Sequence, residues 1–230
     1  MVKNEAERFL PLALECWTAV ADEVRILDDS STDGTKDLLN EAGVDWQNVS
    51  FDIFGENAKI GRQALWDYAC RGSEWVIIMD ADQTFVSDPR PMFEHVGQGS
   101  IGFPLFDMWS ATHYRDDAWW NAHKRPLSHV FAANVSDHHP WEWDAAQGHM
   151  HYPKVPDNMP TPVVPGAMQC GIAHWAYYTP ELREQKWLQY GRIEGLSARE
   201  RFHADTIMDP SPHLTKMPWD SEWSPLTTGD

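Results

Sequence analysis

The chain has 230 residues, 42% of them hydrophobic, and a formal charge of -17 at pH 7. That composition suffices for a real core in one domain, and the acidity argues against a constitutive coat for nucleic acid or anionic lipid. Three scattered cysteines, Cys16, Cys70 and Cys170, exclude a disulfide framework or a cysteine zinc site, and no apolar run approaches the roughly 18 residues of a membrane span.

The first half alternates helix and strand. Glu5 to Ala19 reads as a helix with Phe9, Leu10, Ala13 and Trp17 on one face, followed by a short strand at Val24 to Leu27. Asp28-Asp29-Ser30-Ser31-Thr32-Asp33-Gly34-Thr35 is a polar turn rich in capping residues, and Thr35 to Ala42 is a second helix closed by Gly43. A strand is expected at Val49 to Phe54 and a helix at Ile60 to Cys70, on whose apolar stripe Cys70 falls. Trp75-Val76-Ile77-Ile78-Met79 is the near-continuous apolar run of a central parallel strand. This order predicts an α/β fold with an open, mostly parallel sheet.

Beyond Asp82 the pattern loosens. Strands are expected at Ile101 to Phe106 and Leu127 to Asn134 and a helix at Glu181 to Leu196, while residues 153 to 166 carry five prolines and read as irregular. From Asp209 the tail reads as coil. One domain over 1–230 is expected, with a ligand-binding half at 1–100, a second half at 101–208 and a tail at 209–230. Thirteen tryptophans, most of them after Asp82, offer flat faces for sugars or bases, though packing is the commoner use of any one.

Three polar clusters sit at strand ends: Lys3-Asn4-Glu5, Asp28-Asp29 and Asp80-Ala81-Asp82. In open α/β sheets ligands bind beyond the carboxyl ends of the strands, so the three should meet on one rim. Asp80 and Asp82, two apart in extended chain, face one side and repel unless a cation lies between them. Mg²⁺ and Mn²⁺ commonly bridge such carboxylates to substrate phosphates.

These segments, in this order over residues 2 to 85, resemble the family 2 glycosyltransferases of the GT-A fold, including small virus-encoded ones. Ile172-Ala173-His174-Trp175, followed by Glu181 and Lys186 to Tyr190, is similar to the family's closing segment. The resemblance implies an inverting, hexosyltransferase-like enzyme, dependent on Mn²⁺ or Mg²⁺, that takes a nucleotide-sugar donor, UDP-linked; the three scattered cysteines separately point to a reducing compartment, the cytoplasm. It assigns Asp28 to the base, Asn4, Glu5 and Asp29 to the nucleoside, and Arg62 to the phosphates. Asp82 becomes the principal metal ligand, Asp80 a ribose contact or metal partner, and His174 the closing ligand or a diphosphate contact.

Two departures stand out. Many relatives have an acid directly after the D-x-D, where this chain has Gln83, and many have a His-Glu pair where it has His151-Tyr152. The general base is therefore sought in Asp144 or Glu142, then in Asp116 or Asp117. His138, His139, His149 and His151 suggest a zinc site only weakly, for want of an obvious third ligand.

For the acceptor, the stretch His113-Tyr114-Arg115, Trp119-Trp120 and His123-Lys124-Arg125 mixes aromatics with positive charge. A glycan, protein or small molecule is the default, and hydroxymethylated pyrimidine in DNA is the alternative. A nucleotidyltransferase would need a glycine-rich loop that Asn4-Glu5-Ala6-Glu7 does not supply. A non-catalytic nucleotide-sugar-binding module would account for Gln83 and the missing His-Glu pair.

Overall fold

The computed structural model describes residues 1–50, 58–96, 99–117, 120, 130–135, 141–143, 154–156, 158–159, 170–193, 196 and 198–217. Helix α1 (Leu10–Val20) has proline in its first turn, where a missing N–H costs nothing. Strand β1 (Arg25–Asp29) is followed by helix α2 (Thr35–Ala42), which ends on Gly43 in the left-handed region at φ 67°. Strand β2 (Asp45–Val49) runs parallel to β1, from Arg25↔Asp45 to Asp29↔Val49. The second strand thus lies earlier than the Val49 to Phe54 expected from apolar residues alone. Residues 51–54 are outside the described ones.

Helix α3 (Ala58–Ala69) leads to β3 (Trp75–Ile77), which β4 (Gln83–Phe85) and helix α4 (Arg90–Val96) follow. The expected strand at Ile101 to Phe106 is two strands, β5 (Ser100–Gly102) and β6 (Leu105–Asp107). Pro104 separates them, as a residue with no N–H for a ladder. Then come β7 (His113–Arg115), β8 (Val130–Asn134) and β9 (Ile172–His174), with a 3-10 turn at Trp175–Tyr177. Helices α5 (Pro180–Gly191) and α6 (Ala198–Ile207) precede β10 (Leu214–Lys216), a strand in the tail expected to be coil.

The strands form four small groups: β1-β2, β3-β8-β5, β4-β9-β6 and β7-β10. Among the described residues only β1-β2 and β6-β9 are parallel ladders. The apolar run at Trp75 pairs antiparallel with β8, because burial on both faces fixes hydrophobicity and leaves strand direction open. Before β1, Val2 makes a single parallel bridge to Asp28, held by Val2 N–H to the Leu27 carbonyl and Asp29 N–H to the Val2 carbonyl, both 2.9 Å.

Three cores position the site. Trp66 of α3 is fully buried, with Trp141 and Trp143 edge-on at 5.3 and 6.3 Å. Phe85, Phe103, Ile101, Leu105 and Ile172 fill the space between the two three-stranded groups. Trp109, Trp120, Tyr177, Tyr190 and Ile207 lock α5 and α6 onto the 3-10 turn. Cys16 and Cys70 pack against the cores at half-buried positions, as the place of Cys70 on an apolar stripe implies.

Gly171 precedes β9 and has no room for a side chain: an added Cβ would lie 2.5 Å from the Phe106 ring and 3.2 Å from the Pro104 carbonyl. Gly171→Ala is expected to lower stability by about 1–3 kcal/mol in urea denaturation. Gly191→Ala meets no atom within 4 Å and should be neutral or slightly stabilising.

Candidate functional site

The site is built where the ends of β1, β3 and β9 are joined by polar loops. Asn4 sits in the left-handed region at φ 54°, which Asn tolerates better than most residues. Its N–H donates to Ser31 Oγ at 2.8 Å, and its Oδ1 accepts from Thr32 N–H at 2.8 Å. Glu5 N–H donates to Thr35 Oγ1 at 2.9 Å. The two polar clusters predicted to share a rim are therefore stitched together.

Within that turn Asp28 and Asp29 are buried, at 0% and 1% exposure. Asp29 accepts from Lys3 Nζ at 3.1 Å. Asp28 Oδ2 accepts from Ser31 N–H at 3.1 Å, with Lys36 Nζ 3.6 Å away. Asp28 Oδ1 is buried and has no hydrogen-bond partner among the described residues. A buried carboxylate oxygen without a donor is costly, so this atom suits an N–H from outside the chain. Glu5 is also largely buried. Burial raises its pKa, Arg8 at 3.0 Å opposes this, and Asp82 raises it further, which puts Glu5 within electrostatic reach of the acidic triplet.

The triplet is asymmetric. Both oxygens of Asp80 are engaged: Arg62 Nη2 meets Oδ1 at 3.0 Å and Lys154 Nζ meets Oδ2 at 2.7 Å. Burial raises the Asp80 pKa, but Lys154 and Arg62 hold it well below the usual carboxylate range. Asp82 instead faces His174, Nε2 to Oδ2 at 3.5 Å, while His174 Nδ1 bonds Asp107 Oδ1 at 2.7 Å. Against burial, the charged His174 holds Asp82 down at about 2; against burial, Asp82 and Asp107 hold His174 up at about 9.

Strand β9 explains this geometry. It lies between β4 and β6, so that His174 is registered with Gln83 on one side and Asp107 on the other. Asp82 is fixed by Trp175 N–H, which donates to its carbonyl at 2.8 Å.

As a test of metal fit, the expected trio divides. Asp82 and His174 stand side by side, and Asp107 on Nδ1 fixes the tautomer that leaves Nε2 for a metal, the carboxylate–histidine arrangement common around ligating histidines. His174 must lose its Nε2 proton to ligate a cation. Among the described residues no three His, Cys, Asp or Glu side chains form a ready cage. The fit is therefore a two-ligand site of the kind in which phosphate oxygens and water complete the shell.

The other candidates lie elsewhere. Glu142 is exposed, its N–H donating to Asn158 Oδ1 at 3.1 Å, between Trp141 and Trp143 packed on Trp66. Asp144, the four histidines at 138, 139, 149 and 151, Trp119 and the His123-Lys124-Arg125 triplet fall outside the described residues. Asp117 pairs with the buried Arg115, and Asp116 accepts from Thr215 Oγ1 at 3.3 Å; both are tied to the β7-β10 ladder. Tyr114, Arg115 and Trp120, expected to face an acceptor, are buried. The Arg115 guanidinium lies 5.0 Å from the Trp109 ring and 4.9 Å from the Trp120 ring and also bonds Asp209, so that charge and aromatics consume each other in the core.

Two members of the site were missed by sequence reasoning. Asp107 has a legible signal, an acid at the end of an apolar strand. Lys154 has none, since it lies in the proline-rich stretch.

No family model and no curated protein matches the chain. It is similar to the crystal structure of S. aureus TarS at 16% identity, over 90% of this chain and 40% of that one, with a TM-score of 0.48. It is likewise similar to the S. aureus TarS 1-349 crystal structure at 15% identity, over 90% and 67% of the two chains, with a TM-score of 0.49. This chain thus spans less than half the length of the first. Among the described residues no helix is long and apolar enough to cross a membrane.

The Asn4 turn yields a stability test. Asn4→Val places a β-branched residue at φ 54° and removes the acceptor for Thr32, at an expected cost of about 1–3 kcal/mol in thermal unfolding. Asn4→Gly keeps the backbone comfortable and should cost clearly less.

Proposed function

We propose that the chain is a metal-dependent, inverting glycosyltransferase that moves a sugar from a UDP-linked donor to an acceptor hydroxyl. The observation that carries this reading is the Asp82–His174–Asp107 relay beside Asp80, on the same rim as Asp28 and Glu5. A carboxylate–histidine pair near a polar turn that holds an unpartnered buried carboxylate oxygen suits a nucleotide diphosphate. The family 2 resemblance of the same segments supports it.

In this mechanism Asp28 accepts the base N–H with its unpartnered oxygen, and Asn4, Glu5 and Asp29 shape the ribose side. Asp82 and His174 hold Mn²⁺ or Mg²⁺, which when bound supplies charge stabilisation for the leaving diphosphate. Asp107 keeps His174 in the ligating orientation, and Arg62 adds positive charge at the phosphates. The acceptor hydroxyl attacks the anomeric carbon as the carbon–oxygen bond to the diphosphate breaks, and a carboxylate takes the hydroxyl proton. Glu142 and Asp144 are the candidates for that base.

The experiment is donor turnover, either UDP-sugar hydrolysis or transfer, with Mn²⁺. Asp82→Ala should abolish it, and wild-type rates in that variant would sink the metal assignment. Asp107→Asn should weaken the apparent Mn²⁺ affinity about 10–100-fold while leaving kcat at saturating metal far less affected. For the base, whichever of Glu142→Gln and Asp144→Asn removes the proton acceptor should lower kcat by about 10²–10⁴ with little change in donor KM.

A further inference from the structure

Strand β9 ends on His174, and the 3-10 turn Trp175–Tyr177 follows at once, with His174 as its N-cap. Such a turn has three residues per turn, so side chains three apart eclipse. Tyr177 therefore lies over His174, its ring perpendicular to the imidazole with the centroids 5.4 Å apart.

Tyr177 is itself buried and firmly held. Its ring stacks on Trp109 at 5.7 Å and stands perpendicular to Trp120 at 4.8 Å. Its hydroxyl lies 3.2 Å from Nε2 of His203 in α6, and the His203 ring stacks on Trp120 at 4.3 Å. Its carbonyl accepts from Arg183 Nη1 of α5 at 2.8 Å. Helices α5 and α6 thus reach the back of His174 through one side chain.

His174 needs such a brace. The bond from Asp107 fixes its Nδ1, but a ring held at one atom can still pivot about that contact. A pivot carries Nε2 away from Asp82 Oδ2, 3.5 Å off. A packed, rigid ring lying across the imidazole resists that motion, because a close-packed interior leaves little room for it.

We propose that Tyr177, tethered by its hydroxyl to His203, is a positioning residue that holds the His174 ring with Nε2 toward Asp82 and so sets the affinity of that pair for a divalent cation. This rests on the reading of Asp82 and His174 as cation ligands. It makes α6, which supplies no ligand, a determinant of metal binding.

The test uses Mn²⁺ titration, with free Mn²⁺ read by electron paramagnetic resonance, and the site is defined as the binding lost in Asp82→Ala. A second readout is the low-field ring N–H proton of His174 in the metal-free protein, identified by its loss in Asp107→Asn. Each variant is first checked for native circular dichroism. Tyr177→Leu should weaken Mn²⁺ about tenfold or more and broaden or erase the low-field proton. Tyr177→Phe keeps the ring and loses the tether, and His203→Phe keeps the stack on Trp120 and loses the nitrogen. Each should weaken Mn²⁺ about threefold, and the double variant no more than either, since both cut one contact. Thr206→Val removes the bond from Trp120 Nε1 to Thr206 Oγ1 in the same α6 interface and should bind Mn²⁺ as wild type does.

A Tyr177→Leu protein with wild-type affinity and an intact low-field proton overturns the proposal. So does Thr206→Val weakening Mn²⁺ as much as His203→Phe, which would make the effect a general loosening of α6. If Tyr177→Leu fails to fold, the Tyr177→Phe and His203→Phe cycle decides, and additive losses or none refute the tether. A wild type with no Asp82-dependent Mn²⁺ binding removes the cation reading itself and the proposal with it, an outcome distinct from the others because they leave the wild-type titration intact.

Discussion

The three-residue strand β9 is the constraint on which the site depends. It is hydrogen-bonded antiparallel to β4 and parallel to β6, so a single register aligns Gln83, His174 and Asp107 across three segments far apart in sequence. Closing such long loops costs entropy, which the burial of Phe85, Phe103, Leu105 and Ile172 around the strand offsets. A slip of one residue would turn His174 to the opposite face and separate it from both carboxylates. Gly171, with the Phe106 ring where a Cβ would go, permits the close approach that this register needs.

The polar turn after β1 repeats the principle with backbone N–H groups in place of a strand. Asp28, Asp33 and Asn4 accept from N–H groups of their own turn and of the segment after Glu5. Each such bond satisfies a polar group that would otherwise be stranded at the end of a buried strand. The acids thereby become rigid before any ligand arrives, and a preorganised site loses less on binding.

Legibility in the sequence followed the range of the interactions. Helix α2 is legible to the residue because its capping residues and Gly43 are local signals, and two of the residues that the sequence singles out, Asp82 and His174, stand side by side in the fold. Strand pairing was not legible: most ladders here are three residues long, and their partners are set by contacts across the chain. Arg115 and Trp120 misled for a related reason. A basic, aromatic stretch looks like a ligand surface, and only its distant partners Asp209 and Thr206 reveal that it is core. Lys154 was invisible because its role comes from where a proline-rich segment lands, and no periodicity records that.

Charge gives these placements a common logic. The chain has 35 acidic and 18 basic residues, so any anionic ligand would be repelled at long range. That field is screened beyond about 8 Å at physiological ionic strength, and what matters at binding distance is the local sign. Here the acids of the rim are matched by Lys3, Lys36, Arg62, Lys154 and a charged His174. Asp80 is the pivot of this arrangement. Two carboxylates as close as Asp80 and Asp82 would repel each other, but Asp80 is covered by two cations and Asp82 faces His174. One motif of two identical residues therefore does two jobs. The first Asp gathers positive charge from Arg62 and Lys154, and the second faces the imidazole of His174.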